Sequence, residues 1–415
     1  MDVIESLVKQ VPIPKMVKIR QNFHAPEIQN VVDAVHQTIQ ETGVLSRISK
    51  GDRVAIAVGS RGIADIPVLA REVVNAVKSV EGSPFIVPAM GSHGGATAEG
   101  QLDVLEKLGV TEEFVGAPII SSMDVVEVGR LPKGLPVFMD KNAYEADKII
   151  VIGRIKPHTA FRGPYESGLL KMITIGLGKQ KGANEAHGYG FKYMGEHVPE
   201  MARISLQKSP IIFGLGILEN AYDRPAKIIA VPAEKMFEVE PDLLLEAKSL
   251  MPRIMFDPID VLVVNELGKD ISGSGMDPNI TGRFGTPYAS GGPQVTRIAV
   301  LGLTEKTHGN ANGMGLADVT TRRLFEQIEW EKGYANAITS TVTTVAKLPM
   351  FLPTAELAVQ AAIKTSNVFD MSKVRLVRIH TTLHLKEIWI SESLLEEAKQ
   401  NDKIEILSEP EYMAW

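Results

Sequence analysis

What most constrains this chain is an alternation repeated along its length: short apolar runs, each closed by Gly, Pro or charge, followed by stretches with apolar residues at helical spacing. Residues 54–58, 84–88, 148–152, 211–215 and 227–231 read as buried strands, and 66–80, 98–108 and 197–208 as helices. Thr97 is placed to cap the second helix, with Glu99 in its first turn. A second series begins near Asp257, with strands expected at 260–264, 296–300, 374–378 and 387–390 and helices at 318–330, 334–345 and 354–364. Two prolines in Met251-Pro-Arg-Ile-Met-Phe-Asp-Pro258 interrupt the pattern and mark a boundary. The expectation is an α/β protein of two α/β lobes, residues 1–256 and 257–415, with mostly parallel sheets and an active-site cleft between them.

A length of 415 residues exceeds what one ordinary core accommodates, which agrees with two domains. A formal charge of -6 argues against nucleic acid, which calls for a basic stripe. No apolar run is long enough to span a bilayer, and Met1-Asp-Val-Ile-Glu-Ser lacks a signal pattern, so a cytoplasmic protein is expected. There are no cysteines, so any soft-metal sulfur ligand must come from a cofactor.

Chemistry concentrates in four Gly-rich segments. They are Gly91-Ser-His-Gly-Gly with His93, Gly153-Arg-Ile-Lys-Pro-His with His158, Gly168-Leu-Leu-Lys with Lys171, and Gly182-Ala-Asn-Glu-Ala-His with His187. The chain has only nine histidines, so three in such loops suggest placement for acid/base work or metal ligation. Arg61, His93 and His158 each follow a predicted strand, and carboxyl ends of strands form the ligand crevice of open α/β sheets. Taken singly, each has a structural explanation. The His93 loop could bind phosphate at a helix start, Pro157-His158 could be a turn, and Lys171 could lie at the surface. The apolar neighbours Leu169, Leu170, Met172 and Ile173 instead predict a buried setting for Lys171, where an amine is paired or chemically employed.

The ordered set of Gly-flanked His, Lys-Pro-His, Gly-Leu-Leu-Lys and Ala-His resembles the nickel-pincer-nucleotide lactate racemase family, as does the interval between residues 171 and 187. The resemblance implies a pyridinium-3-thioamide-5-thiocarboxylic acid mononucleotide held by Lys171, with nickel gripped by its S,C,S donors and by His187. Arg61 then faces cofactor and substrate, where a guanidinium fork suits phosphate or carboxylate. His93 and His158 become paired acid/base groups for the two configurations of a 2-hydroxy acid, each contributing ~100-fold or more. The resemblance further implies hydride transfer and dependence on maturation proteins that make the cofactor. Where the family tends to have an acidic residue before its arginine, this chain has Val58-Gly59-Ser60. In the second lobe Gly268-Lys-Asp270 fits, but a glutamine and a lysine expected beyond it are replaced by residues 271–283. There Ser272, Ser274, Asn279 and Arg283 are candidate contacts for a different acid, so a larger 2-hydroxy acid or a sugar acid stands beside lactate as substrate.

Two readings from other classes stay open. His93, His158 and His187 could be three zinc ligands of a hydrolase, a scheme that leaves Lys171 without a role. The Gly-rich loops and Arg61 could also serve a non-catalytic binder of a nucleotide or sugar acid. A polar segment around His308, Asn310 and Asn312 reads as a turn network, with Asp318 as cap of the next helix.

Overall fold

The structure is a computed structural model that describes residues 2–60 and 62–415. Its strands run in chain order β1 (Met16–Gln21), β2 (Arg53–Val58), β3 (Ser83–Pro88), β4 (Val125–Arg130), β5 (Pro136–Asp140), β6 (Lys148–Arg154), β7 (Ile211–Glu219) and β8 (Pro225–Pro232). There follow β9 (Ile259–Leu267), β10 (Val295–Leu303), β11 (Val319–Thr321), β12 (Met350–Leu352), β13 (Leu376–Ile379), β14 (Glu387–Ser391) and β15 (Ile404–Ile406). They fall into two units: His24–Met251, and Met1–Phe23 together with Pro252–Trp415.

Unit 24–251 is built on a sheet of order β3-β2-β6-β7-β8. It is parallel except for β8, which returns antiparallel to β7. Val54, Ile56 and Val58 pack with Val35, Ile39, Leu69 and Val73 of two helices, Val31–Thr42 and Ile66–Ser79. The alternate positions Ala55, Ala57, Ile149 and Val151 are also fully buried. Both faces are therefore covered, which is why these strands read as continuous apolar runs. Thr97 caps the helix Ala98–Lys107, accepting from Gly100 N at 3.0 Å, as its sequence position predicts. A separate hairpin, β4-β5, ends in Asp140.

The other unit carries a sheet of order β12-β11-β10-β9-β13-β14-β1-β15. Its first five strands are parallel and its last three are added antiparallel. Residues 1–23 thus belong with 252–415 rather than with the chain that follows them. The reason is pairing: β1 fills the gap between β14 and β15, and Arg20 bonds Glu387 and Glu405 across both strands. The stretch 318–330 is not one helix: it splits into β11, a short helix Arg322–Glu326 and the start of Trp330–Ser340. Asp318 does not cap it; its carboxylate takes Ile298 N–H at 2.7 Å and pairs with Arg283, and Thr321 is the cap. The 308–312 segment is a turn network, as expected: Asn310 Nδ2 donates to Asn336 and Asn312 Nδ2 to Gly273 O. No helix among the described residues is long and apolar enough to cross a membrane.

Candidate active site

The site is assembled at the carboxyl ends of β2, β3 and β6, three adjacent parallel strands of unit 24–251. His93 stands in the loop after β3, exposed, with its ring Nδ1 2.5 Å from the Ser60 hydroxyl in the loop after β2. Gln101, fully buried, donates to Gly91 O at 3.0 Å and His93 O at 3.3 Å and so fixes the loop from beneath. Arg61 lies outside the described residues.

His158 follows β6 and is buried. Its backbone N–H donates at 2.7 Å to Glu166, a carboxylate whose side chain is wholly enclosed and held between Arg162 and Lys248. Nδ1 of the ring accepts from Ala160 N–H at 3.0 Å. A ring in that state carries its proton on Nε2 and presents an N–H. Lys156 and Ser167 pair across the base of this excursion, which delivers the chain to Gly168 and Lys171.

Lys171 closes a single turn, Leu169–Lys171, and is followed by a π-helical turn, Met172–Gly176. Such turns are rare and frequent at functional sites. This one is wedged against the strand ends. Met172 packs on Gly59 and Gly153, where an added Cβ would lie 3.2 and 3.0 Å from its side chain. Gly91, with φ +61°, donates its N–H to Gly176 O at 3.2 Å, tying the His93 loop to the same turn. Leu169, Leu170 and Ile173 are fully buried, while Lys171 itself is half-buried. Beneath the turn, the buried Glu240 carboxyl accepts Leu170 N–H at 3.0 Å. Burial pushes Glu240 up to about 7, although the Leu170 and Leu169 amides pull the other way.

His187 lies near the end of the helix Lys179–Gly188. Its Nδ1 is 2.7 Å from Ala183 O, a carbonyl, so Nδ1–H donates and Nε2 keeps its lone pair. Burial holds the imidazole below its ordinary range, the Ala183 bond opposes this, and the Lys171 ammonium depresses it further. Phe191 contacts both His187 and His158, with ring centroids at 5.6 and 5.7 Å. His158, Lys171 and His187 are thus drawn into one neighbourhood, with His93 tied to it through the Gly91–Gly176 bond.

The same helix begins at Lys179, a residue the sequence reading passed over. It is completely buried and donates to Pro88 O at 2.5 Å and Gln101 Oε1 at 3.0 Å, and it pairs with buried Asp140 at 3.1 Å. Burial lowers the lysine and raises the aspartate from their ordinary values, each opposed by the partner's charge. The available signal was its setting in Gly176-Leu-Gly-Lys, which matches the Gly-flanked setting of Lys171. Glu166 and Glu240 had no comparable signal.

The remaining candidates belong to the other unit. Arg283 is committed internally: it pairs with Asp318 and donates to the carbonyls of Leu316, Val295 and Thr296. Asn279 Nδ2 bonds Asp277 at 2.8 Å, and Asn279 lines a cavity of about 500 Å³ with Arg253, Asp257 and Asn401. Ser272 is buried and Ser274 half-buried in the adjoining loop. Among the described residues no three His, Asp or Glu side chains gather to hold a metal ion, so the three-histidine zinc site does not form. The three rings stand on separate segments, and His158, whose Nδ1 accepts from Ala160 N–H, carries its proton on Nε2 and offers no lone pair to a metal.

Residues 7–196 match the family model of the lactate racemase N-terminal domain. Among solved structures, the chain is similar to the lactate racemase apoprotein of Thermoanaerobacterium thermosaccharolyticum, at 12% identity and TM-score 0.49, covering 87% of this chain and 99% of that one. It is also similar to a protein of Thermotoga maritima, at 13% identity and TM-score 0.53, covering 86% of this chain and 97% of that one. The second similarity extends the α/β architecture over most of the chain. The sequence has no significant match among curated proteins. The matched residues 7–196 contain His93, His158, Lys171 and His187, so all four lie in the part of the chain that is similar to the lactate racemase N-terminal domain.

Proposed function

We propose that the protein is a racemase or epimerase of a 2-hydroxy acid that works with a nickel-pincer nucleotide on Lys171 and His187. The observation that carries this reading is the state of His187. With Nδ1–H committed to Ala183 O and the imidazole held neutral by burial, Nε2 is ready to bind a metal, with the Lys171 amine within electrostatic reach. The donor chemistry agrees, because a chain without cysteine offers a soft ion one imidazole and leaves the sulfur donors to the cofactor. When bound, that cofactor supplies the acceptor and donor of hydride.

The chain's own residues account for the proton. Inverting the carbinol carbon takes the hydroxyl proton away and returns one once the planar 2-oxo acid has exposed its other face. His93, whose Nδ1 shares a hydrogen bond with Ser60, can take the hydroxyl proton at Nε2 and return it, while the neutral His158 can hold the substrate oxygen with its Nε2–H. Ser60 stands in the segment where the family tends to have an acidic residue, so His93 is oriented by a neutral hydroxyl. Arg61 is proposed to hold the substrate carboxylate.

The test is intact mass and nickel content of protein produced together with the cofactor's maturation proteins. A mass increase on the peptide containing Lys171, with nickel near one per chain and lost in His187→Ala, is the expected result. An unmodified, nickel-free chain beside a lactate racemase that loads under the same conditions would refute the assignment. Loaded protein that binds hydroxy acids but never inverts them would leave the non-catalytic binder.

A further inference from the structure

A second set of cationic groups lies in the other unit, at a place where its topology opens a crevice. In the order β12-β11-β10-β9-β13, the chain builds outward from β9 through β10 and β11 to β12, then crosses back through the helix Ala355–Thr365 to β13 on the opposite side of β9. The sheet therefore reverses its direction of growth between β9 and β13, and such switch points open at the carboxyl ends of the strands. A cavity of about 370 Å³ lies there. Asn265 and Glu266 line it from the end of β9, Arg378 and His380 from the end of β13, Arg323 from beyond β11, and Trp415 from the C-terminal segment.

Its two guanidinium groups are held but not neutralised. Arg378 donates Nε to Asn265 Oδ1 at 2.8 Å and Nη1 to Ala414 O at 3.3 Å, and its plane stacks on Trp415 at 4.6 Å from the ring centroid. Its Nη2 has no hydrogen-bond partner, and neither arginine has a carboxylate partner, among the described residues. Arg323 lies along β10 at Gly302, where an added Cβ would come within 2.5 Å of Nη2. Pro353 and Ala355 add the N-terminal end of an eleven-residue helix, whose partial positive charge favours an anion. Glu266 is the one acidic side chain in the lining, and it faces His380 at 3.8 Å. Burial of Arg378 without a counter-ion lowers its affinity for its proton, the mark of a cation that an incoming anion would relieve.

We propose that this crevice binds the oxyanion group of a small polar ligand, a carboxylate or a phosphate, between Arg323 and Arg378. Asn265 orients the Arg378 fork, Trp415 holds its plane, and Thr321, buried with its hydroxyl on Leu301 O, closes the floor. The site is independent of the nickel reading, since it uses no residue of unit 24–251.

Calorimetric titration of the full, unloaded chain with inorganic phosphate and with malonate, against sodium chloride of equal ionic strength, tests it. Saturable binding of either probe, weakened at least tenfold in both Arg323→Gln and Arg378→Gln, is expected; the preferred probe separates a phosphate site from a carboxylate site. Arg323 is exposed, so its variant keeps the experiment decisive if Arg378→Gln misfolds. Equal affinity in wild type and Arg323→Gln, or no saturable binding beyond chloride, would overturn the proposal. Nickel loading at Lys171 is read separately by mass, so the two proposals fail independently.

Discussion

At the scale of residues, the site is a set of side chains whose protonation is chosen by backbone groups. Ala160 N–H occupies Nδ1 of His158, and Ala183 O occupies Nδ1–H of His187, so opposite tautomers are selected a few residues apart in space. Ala160→Pro removes the donor, and ¹⁵N NMR of labelled histidine should then show His158 losing its single Nε2–H tautomer. An unchanged spectrum would mean that Phe161 and Phe191 packing, not the amide, sets the ring. His187 should titrate below about 6.5, the ordinary imidazole value. Because the Lys171 ammonium contributes to that depression, Lys171→Met should move the His187 midpoint upward in the unloaded protein. A midpoint that does not move would separate the two residues.

At the scale of elements, two buried acids brace the segments that bear the candidate residues. Glu240, on the helix Met236–Leu250, holds the turn before the π-helical segment, and its folded value of about 7 lies above its unfolded value near 4.5. The folded state then binds the extra proton. The stability this confers is full below about pH 4.5 and is lost as pH rises through about 7. The shift corresponds to about 3 kcal/mol. Glu240→Gln should flatten this part of the stability–pH curve in urea titrations between pH 5 and 8, and a retained slope would assign it elsewhere. Asp140 and Lys179 join the end of β5, the end of β3 and the helix that ends in His187. Lys179→Met leaves Asp140 buried without its cation and should cost about 3–5 kcal/mol. Lys179→Met with Asp140→Asn should recover a large part of that loss in the same denaturation experiment.

At the scale of the whole molecule, one of the two units is not continuous in sequence. β1 completes the sheet of residues 252–415, so deleting residues 1–23 strips a strand from between β14 and β15 and uncovers the apolar surface on which Met16, Val17 and Ile19 are buried. In the truncated chain, limited proteolysis should spare a core within 24–251 and digest 252–415 first. Equal resistance of both units would mean that β1 is dispensable.

What the sequence by itself determined is whatever local pattern encodes. The apolar runs located β2, β3, β6, β7 and β8 within a few residues, and helical spacing located Ile66–Ser79 and Ala98–Lys107. Strand ends are local too, so the placement of His93 and His158 in loops after β3 and β6 was legible. Only the tertiary structure decided that β1 pairs with β14 and β15, that Glu240 reaches the Lys171 turn from seventy residues away, and that Arg283 is committed to Asp318. Each of these is a contact between distant segments, made because a buried amide, charge or strand edge needs a partner. Periodicity reports which face of an element is buried, but not what it is buried against.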